Sequence, residues 1–223
     1  MIKAALIDMD GVLYDSMPLH AAAWKRLTGE MGICLDEEEF YLYEGMTGES
    51  TINLIAGREL GRCFSKDEAK ELYGKKSAYF VELGKPAKMK GAEETLRFLK
   101  DKGIICVLVT GSGQTSLLDR LSHDYPGIFS KDRMVTAWNV SKGKPDPEPY
   151  LKGAELADVD IKECIAIDNA PLGVTSAHRS GAYTIGVTTG PIPPEELKKS
   201  GANVVVSSME ACCSFLKENL SKI

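Results

Sequence analysis

Six short apolar runs punctuate the chain: "IKAALI" (2–7), "IICVLVT" (104–110), "RMVTA" (133–137), "ECIAID" (163–168), "YTIGVT" (183–188) and "NVVVS" (203–207). They are rich in β-branched residues and nearly continuous, the pattern of strands covered on both faces. Between them lie "GAEETLRFLKDKG" (91–103), "QTSLLDRLSHDY" (114–125), "PEPYLKGAELA" (147–157) and "LGVTSAHRSG" (172–181), which carry helical spacing. Several of these end at glycine, a common helix stop. Strands alternating with helices predict an α/β fold, a doubly wound, Rossmann-like parallel sheet with helices on both sides.

The alternation breaks after the first run. Residues 17–85 contain no strand pattern and read as four helices: "PLHAAAWKRLTGEMG" (18–32), "DEEEFYLY" (36–43), "ESTINLIAGRELG" (49–61) and "SKDEAKELYGKKSAYFVEL" (65–83). A helical block between the first two strands predicts an inserted domain. The division expected is a core of residues 1–14 plus 87–223 and an all-helical cap of residues 15–86. The Pro-rich pieces "GKPDPEPY" and "GPIPPEEL" are loops that open helices. No internal repeat or low-complexity segment is present.

Composition narrows the partners. The 223 residues suffice for one large core, and a formal charge of −5 without basic runs argues against nucleic acid or an anionic membrane. No apolar run reaches membrane-spanning length, and "MIKAALID" turns acidic too soon for a signal peptide. The six cysteines (34, 63, 106, 164, 212 and 213) form no C-x-x-C pair and read as small buried hydrophobes in a reducing compartment. A cytoplasmic monomer is expected.

Ligands of open α/β sheets bind at the carboxyl ends of the strands. The first strand runs into Asp8, Met9, Asp10 and Gly11, and the second into Thr110, Gly111, Ser112 and Gly113. The loop after the third carries Lys144 and Pro145, and the fourth runs into Asp168 and Asn169. These groups suit phosphoryl transfer. One carboxylate can attack phosphorus, and a second two residues on can move a proton to the leaving oxygen. A hydroxyl and backbone N–H groups can hold phosphate oxygens, and a lysine can neutralise their charge. Carboxylate and carbonyl oxygens suit a hard cation such as Mg²⁺. Each piece alone is common in strands and turns; four in order, each at a strand end, are not.

The whole chain resembles the haloacid dehalogenase superfamily, and within it the β-phosphoglucomutase-like branch. "DMDGVLYDS", "VTGS", "GKPDPEPY" and "DNAPLG" match its four motifs in order, and the helical insertion matches its mobile cap. The resemblance implies Asp8 as nucleophile and Asp10 as general acid and base. It implies Thr110 and Lys144, with Gly111 and Ser112, as phosphate ligands. It places Mg²⁺ at Asp8, the Asp10 carbonyl, and the fourth motif, Asp168 and Asn169.

Two departures from that pattern bear on substrate. The fourth motif has Asn169 where a second acid is usual. The cap loop "YEGMTGES" (43–50) has Glu44 and Gly48 where the sugar mutase carries a lysine and an arginine. A bisphosphorylated sugar needs a cationic seat for its distal phosphate, which arginine serves best. Glu44 would repel it. The sequence is similar to an inorganic pyrophosphatase branch that has a glutamate and an asparagine at these places. The expected activity is Mg²⁺-dependent hydrolysis of a small phosphorylated substrate, pyrophosphate or a small ester. β-Phosphoglucomutase is the alternative, a catalytically dead binding module the alternative of another class, and a dehalogenase a third option. His20, near the hinge, is the second cap candidate. Trp24, Met17 and Met46 are expected to pack, and His123 and His178, on amphipathic core helices, to be surface or packing residues.

Overall fold

The computed structural model describes residues 1–223. All six apolar runs form strands: β1 (Ala4–Ile7), β2 (Ile105–Val109), β3 (Met134–Val135), β4 (Cys164–Asp168), β5 (Tyr183–Val187) and β6 (Val204–Val206). They build one parallel sheet in the order β3-β2-β1-β4-β5-β6. The order reverses direction at β1, so the crevice between β1 and its neighbours is the natural ligand position.

Successive side chains of β1 point to opposite faces. Ala5 and Ile7 join a cluster with Leu96 and Leu99 of α4 (Ala92–Asp101) and Cys212 and Leu216 of α10 (Met209–Asn219). Ala4 and Leu6 join another, with Tyr150 and Ala154 of α7 (Glu148–Leu156) and Ala177 of α8 (Pro171–Ser180). All four β1 residues are fully buried. This double burial explains why β1 lacks the polar alternation of a half-exposed strand.

Between β1 and β2 lie α1 (Met17–Glu30), α2 (Gly48–Leu60) and α3 (Lys66–Glu82), with a 3₁₀ turn at Glu37–Tyr43. This helical insertion has its own apolar cluster, including Trp24, Leu27, Phe40, Ile52 and Ile55. Ser65 and Glu68 close α3 with a capping box, and Thr47 accepts from Ser50 N at the start of α2.

Four details differ from the sequence expectation. "DEEEFYLY" forms 3₁₀ rather than α structure, with three consecutive acids in its first turn. The helix expected over 114–125 is two short pieces, α5 (Thr115–Leu118) and α6 (Leu121–Asp124). The C-terminal helix α10, like α9 (Pro194–Lys199), lies outside the helical segments read from periodicity. Cys34 and Cys63 are exposed, while the other four cysteines are buried; all six are free.

Helix α7 approaches the sheet closely at Gly153, where a Cβ would stand 2.9 Å from Val109 Cγ2 and 3.1 Å from Leu6 Cδ2. Gly153→Val should overpack this layer and destabilise the protein by about 1–3 kcal/mol. Urea denaturation checks this; an unchanged midpoint would contradict the tight α7–sheet contact.

Candidate active site

The chain leaves β1 at Asp8, whose N–H donates to Ile167 O at 3.0 Å and so stays in register with β4. The backbone then turns sharply through Gly11, at φ +78°. A Cβ there would lie 2.1 Å from Asn169 Nδ2, so only glycine lets the two loops meet. Asp8 and Asp10 thereby face a cavity of about 50 Å³ beneath the helical insertion. That volume is small beside the roughly 300–1,000 Å³ of ordinary ligand pockets.

Lys144 links the nucleophile candidate to the fourth motif. Its Nζ donates to Asp8 Oδ1 at 2.6 Å and to Asp168 Oδ2 at 2.7 Å. Asp168 Oδ2 also accepts from Tyr150 OH at 2.5 Å, and Asp168 Oδ1 accepts from Ala170 N at 3.0 Å. Both Asp168 oxygens are thus engaged in fixing Lys144, Tyr150 and the turn into α8. Burial opposes the charge on Lys144, but Asp168 and Asp8 outweigh it and raise its pKa. Lys144 stays protonated. Burial also pushes Asp8 upward, with Asp168 and Asp10 adding and Lys144 opposing.

Asp10 has a different shell. Its Oδ1 accepts from Ser16 Oγ at 2.6 Å and lies 2.9 Å from His20 Nε2. Lys76 Nζ, from α3, contacts His20 Nδ1. The arrangement reads as Lys76 donating to Nδ1 while Nε2–H donates to Asp10. Burial alone would raise the Asp10 pKa, but His20, Ser16 and Lys76 together lower it. Burial and the Lys76 charge lower that of His20. Lys76 is itself 1% exposed, and burial brings its pKa down to about 7.

The second motif supplies the opposite wall. Thr110 is buried, and its Oγ1 accepts from Ser112 N at 3.0 Å; Gly111 and Ser112 line the same cavity. The helical insertion closes over this loop through one stripe of α3, Tyr73, Lys76, Ser77 and Phe80, spaced i, i+3, i+4, i+7. Gly113 N donates to Tyr73 OH at 3.1 Å, and Gln114 Nε2 donates to Ser77 O at 3.5 Å. The Tyr73 ring occupies the space beside Gly48, where a Cβ would stand 2.1 Å from Tyr73 Cδ2.

Glu44 is not a solvated loop residue. It is 7% exposed, lines the cavity, and accepts from Asn169 Nδ2 at 2.9 Å. Burial raises its pKa well above the usual carboxylate range, with Asp8, Asp168 and Asp10 adding to the effect. The same hydrogen bond turns Asn169 Oδ1 the other way, where it is buried without a partner. No three acids or histidines converge closely enough to hold a metal ion as they stand, yet two features would suit a divalent cation. Four carboxylates (Asp8, Asp10, Glu44, Asp168) crowd one buried site, and a hard oxygen acceptor is left unpaired beside them.

Every residue expected at the site from sequence is therefore drawn to one place: Asp8, Asp10, His20, Glu44, Thr110, Gly111, Ser112, Lys144, Asp168 and Asn169. His123 and His178 are exposed, and Trp24 packs in the insertion's core while also lining the cavity. Met17 and Met46 line the cavity rather than merely filling space. Ser16, Tyr73, Lys76 and Tyr150 escaped the sequence reading. Lys76 follows Lys75 in a charged helix, and only the register of α3 distinguishes the buried lysine from the exposed one.

The fold and this cluster define a phosphoryl-transfer class, an α/β sheet with strand-end acids closed by a helical insertion. The chain belongs to the haloacid dehalogenase-like hydrolase family, whose model matches residues 2–181. It is 30% identical over 221 residues to a phosphorylated carbohydrates phosphatase of Thermotoga maritima, covering 98% of this chain and 100% of that protein. It is 28% identical to hexitol phosphatase A of Escherichia coli, covering 93% and 92% of the two chains. A Bacteroides vulgatus structure provisionally named a β-phosphoglucomutase superposes with a TM-score of 0.94 at 43% identity, over 99% of this chain and 89% of that one. The protein is thus a hydrolase with phosphatase relatives.

The buried Lys76 has a pH signature. Its pKa falls from 10.5 in the unfolded chain to about 7 in the fold. Between those values the unfolded chain binds a proton that the folded chain lacks, so stability rises with pH. The cost of burying the charge is fully present below about pH 7. Lys76→Met should therefore gain stability relative to native protein near neutral pH, an advantage that fades toward pH 10.5. Paired melting curves across this range check it; a constant gap would mean that Lys76 is not desolvated.

Proposed function

We propose that this protein is a Mg²⁺-dependent phosphohydrolase that works through an aspartyl-phosphate, with inorganic pyrophosphate or a comparably small phosphate ester as substrate. The observation that carries the substrate class is the lining of the insertion. Glu44 is an acid above the nucleophile, and Tyr73 fills the space beside Gly48. A compact substrate complexed with a cation fits beside that carboxylate, while a bisphosphorylated hexose exceeds the cavity of about 50 Å³ at Asp8 and meets Glu44 there.

In this mechanism Asp8 attacks phosphorus, and the bond to the leaving oxygen breaks. Lys144 neutralises charge on the phosphoryl oxygens, and Thr110 with the 111–112 backbone holds them. Asp10, loaded with a proton through Lys76 and His20 before the transfer, gives it to the leaving oxygen and is left ionised. In the second half Asp10 takes a proton from water, which attacks phosphorus and frees Asp8. Asp8, the Asp10 carbonyl and Asn169 Oδ1 would hold Mg²⁺, with Asp168 and Glu44 adding negative charge nearby. The ion supplies charge neutralisation and polarises the transferring group. Residues 15–86 act as a cap that must lift for exchange, since Asp8, Asp10, Thr110 and Lys144 are each 7% exposed or less.

The second reading is β-phosphoglucomutase, favoured by the likeness to the Bacteroides vulgatus structure and by 27% identity to that enzyme of Bacillus subtilis. The names of the phosphatase relatives favour a phosphorylated carbohydrate. A phosphate-release panel with and without Mg²⁺ separates these: pyrophosphate, hexose phosphates, an aryl phosphate, and β-glucose 1-phosphate with a bisphosphate primer. Pyrophosphate should lead, and only with Mg²⁺. Efficient formation of glucose 6-phosphate would establish the mutase instead. Glu44→Ala should depress pyrophosphate turnover about tenfold more than aryl phosphate turnover. Tyr73→Ala should shift kcat/KM toward hexose phosphates by about tenfold. Equal effects on every substrate would reduce both to residues that merely fold the cap.

A further inference from the structure

The two strands that connect the insertion to the sheet are gripped by one short segment of the core. Residues 13–15 and 86–89 run side by side: Asp15 N donates to Ala87 O at 3.0 Å, and Met89 N to Leu13 O at 2.8 Å. Against them lies α6 with its flanking residues, Arg120 to Tyr125. Tyr125 OH donates to Leu13 O at 2.5 Å, on the entering strand. Arg120 Nη1 donates to Pro86 O at 3.2 Å, on the leaving strand. Arg120 Nη2 also pairs with Asp124 at 2.9 Å, and the same carboxylate oxygen accepts from Tyr14 OH at 3.0 Å. Lys88 Nζ closes the set on Asp124 O at 3.3 Å.

This grip reaches the chemistry. Tyr14 is fully buried, and its carbonyl accepts from Gly11 N at 2.8 Å, which closes the turn that carries Asp10. Two residues on, Ser16 Oγ donates to Asp10 itself. The gripping segment also begins six residues after Gln114, the end of the loop that faces Asp8. Gly84, at φ +118°, has no neighbour within 4 Å of a built Cβ.

We infer that Arg120, Asp124 and Tyr14 form a pivot clamp: positioning residues that hold both linkers to the core, so that the insertion bends outside the clamp, beyond Ser16 and at Gly84, while the Asp10 turn stays fixed. Arginine is the residue suited to this place, because one planar guanidinium serves a carboxylate and a carbonyl at once. Without the clamp the open ensemble broadens. The closed state then becomes a smaller fraction, and apparent affinity falls by that fraction while the closed complex reacts as before. The inference concerns the pivot and holds whichever phosphate is the substrate.

The test uses the full chain with Tyr14→Phe and Arg120→Gln, singly and together, and Arg120→Lys as the charge-preserving control. The first readout needs no substrate: hydrogen exchange of the Asp15 and Met89 amides, which pair the linkers. Each single substitution should speed both amides by about three- to tenfold, the effect of losing one hydrogen bond. The β1 and β2 amides should keep their rates. The double variant should fall short of the product of the two, because Asp124 is shared. Arg120→Lys should behave like Arg120→Gln, since an ammonium cannot span both partners. In phosphate release from an aryl ester, KM should rise about fivefold with kcat within twofold. Unchanged linker exchange in both single variants would overturn the clamp. So would exchange that rises equally in β1 and β2 along with a fallen melting temperature, because the residues would then only support the fold.

Discussion

Four carboxylates share one buried corner of this protein, and a single lysine holds two of them. Lys144 bridges Asp8 and Asp168 at 2.6 and 2.7 Å, with every partner less than 4% exposed. Like charges this close destabilise one another unless cations or protons intervene. The rest of the site follows from that constraint. Tyr150 and Ala170 N saturate Asp168, Ser16 and His20 hold Asp10, and Glu44 takes the Asn169 amide. Asn169 Oδ1, like Gln114 Oε1 of the neighbouring loop, is left buried without a partner.

The sheet gathers these groups and the insertion covers them. Strands β1, β2 and β4 lie side by side and end together, so their first loop residues meet without long connections. The insertion contributes His20, Glu44, Tyr73 and Lys76, all turned toward the strand ends. The strand-end acids thus belong to the buried sheet, and the residues that face them belong to a segment linked to it through residues 13–15 and 86–89.

Much of this was legible in the sequence. Continuous β-branched runs marked all six strands, since a strand buried on both faces needs no polar alternation. Paired acids at a strand end stood out because such residues are costly there without a purpose. Glu44 was visible as an acid where a base is usual, though only the fold shows its bond to Asn169. Lys76 and Tyr73 carried no such mark. Their place depends on how α3 rotates against the 110–114 loop, a tertiary fact that periodicity in a highly charged helix leaves open. The 3₁₀ form of Glu37–Tyr43 was hidden for a related reason: three adjacent acids favour a helix start, and local spacing does not reveal the tighter turn.

The most direct measurement is chemical trapping at Asp8. Protein quenched during turnover with Mg²⁺ and substrate is reduced with borohydride, which converts an acyl phosphate on aspartate to homoserine. Peptide mass spectrometry then reads residue 8. Homoserine at position 8, and at neither Asp10 nor Asp168, is the result expected of a nucleophilic Asp8. Steady turnover with no conversion at residue 8, or conversion at another carboxylate, would contradict it.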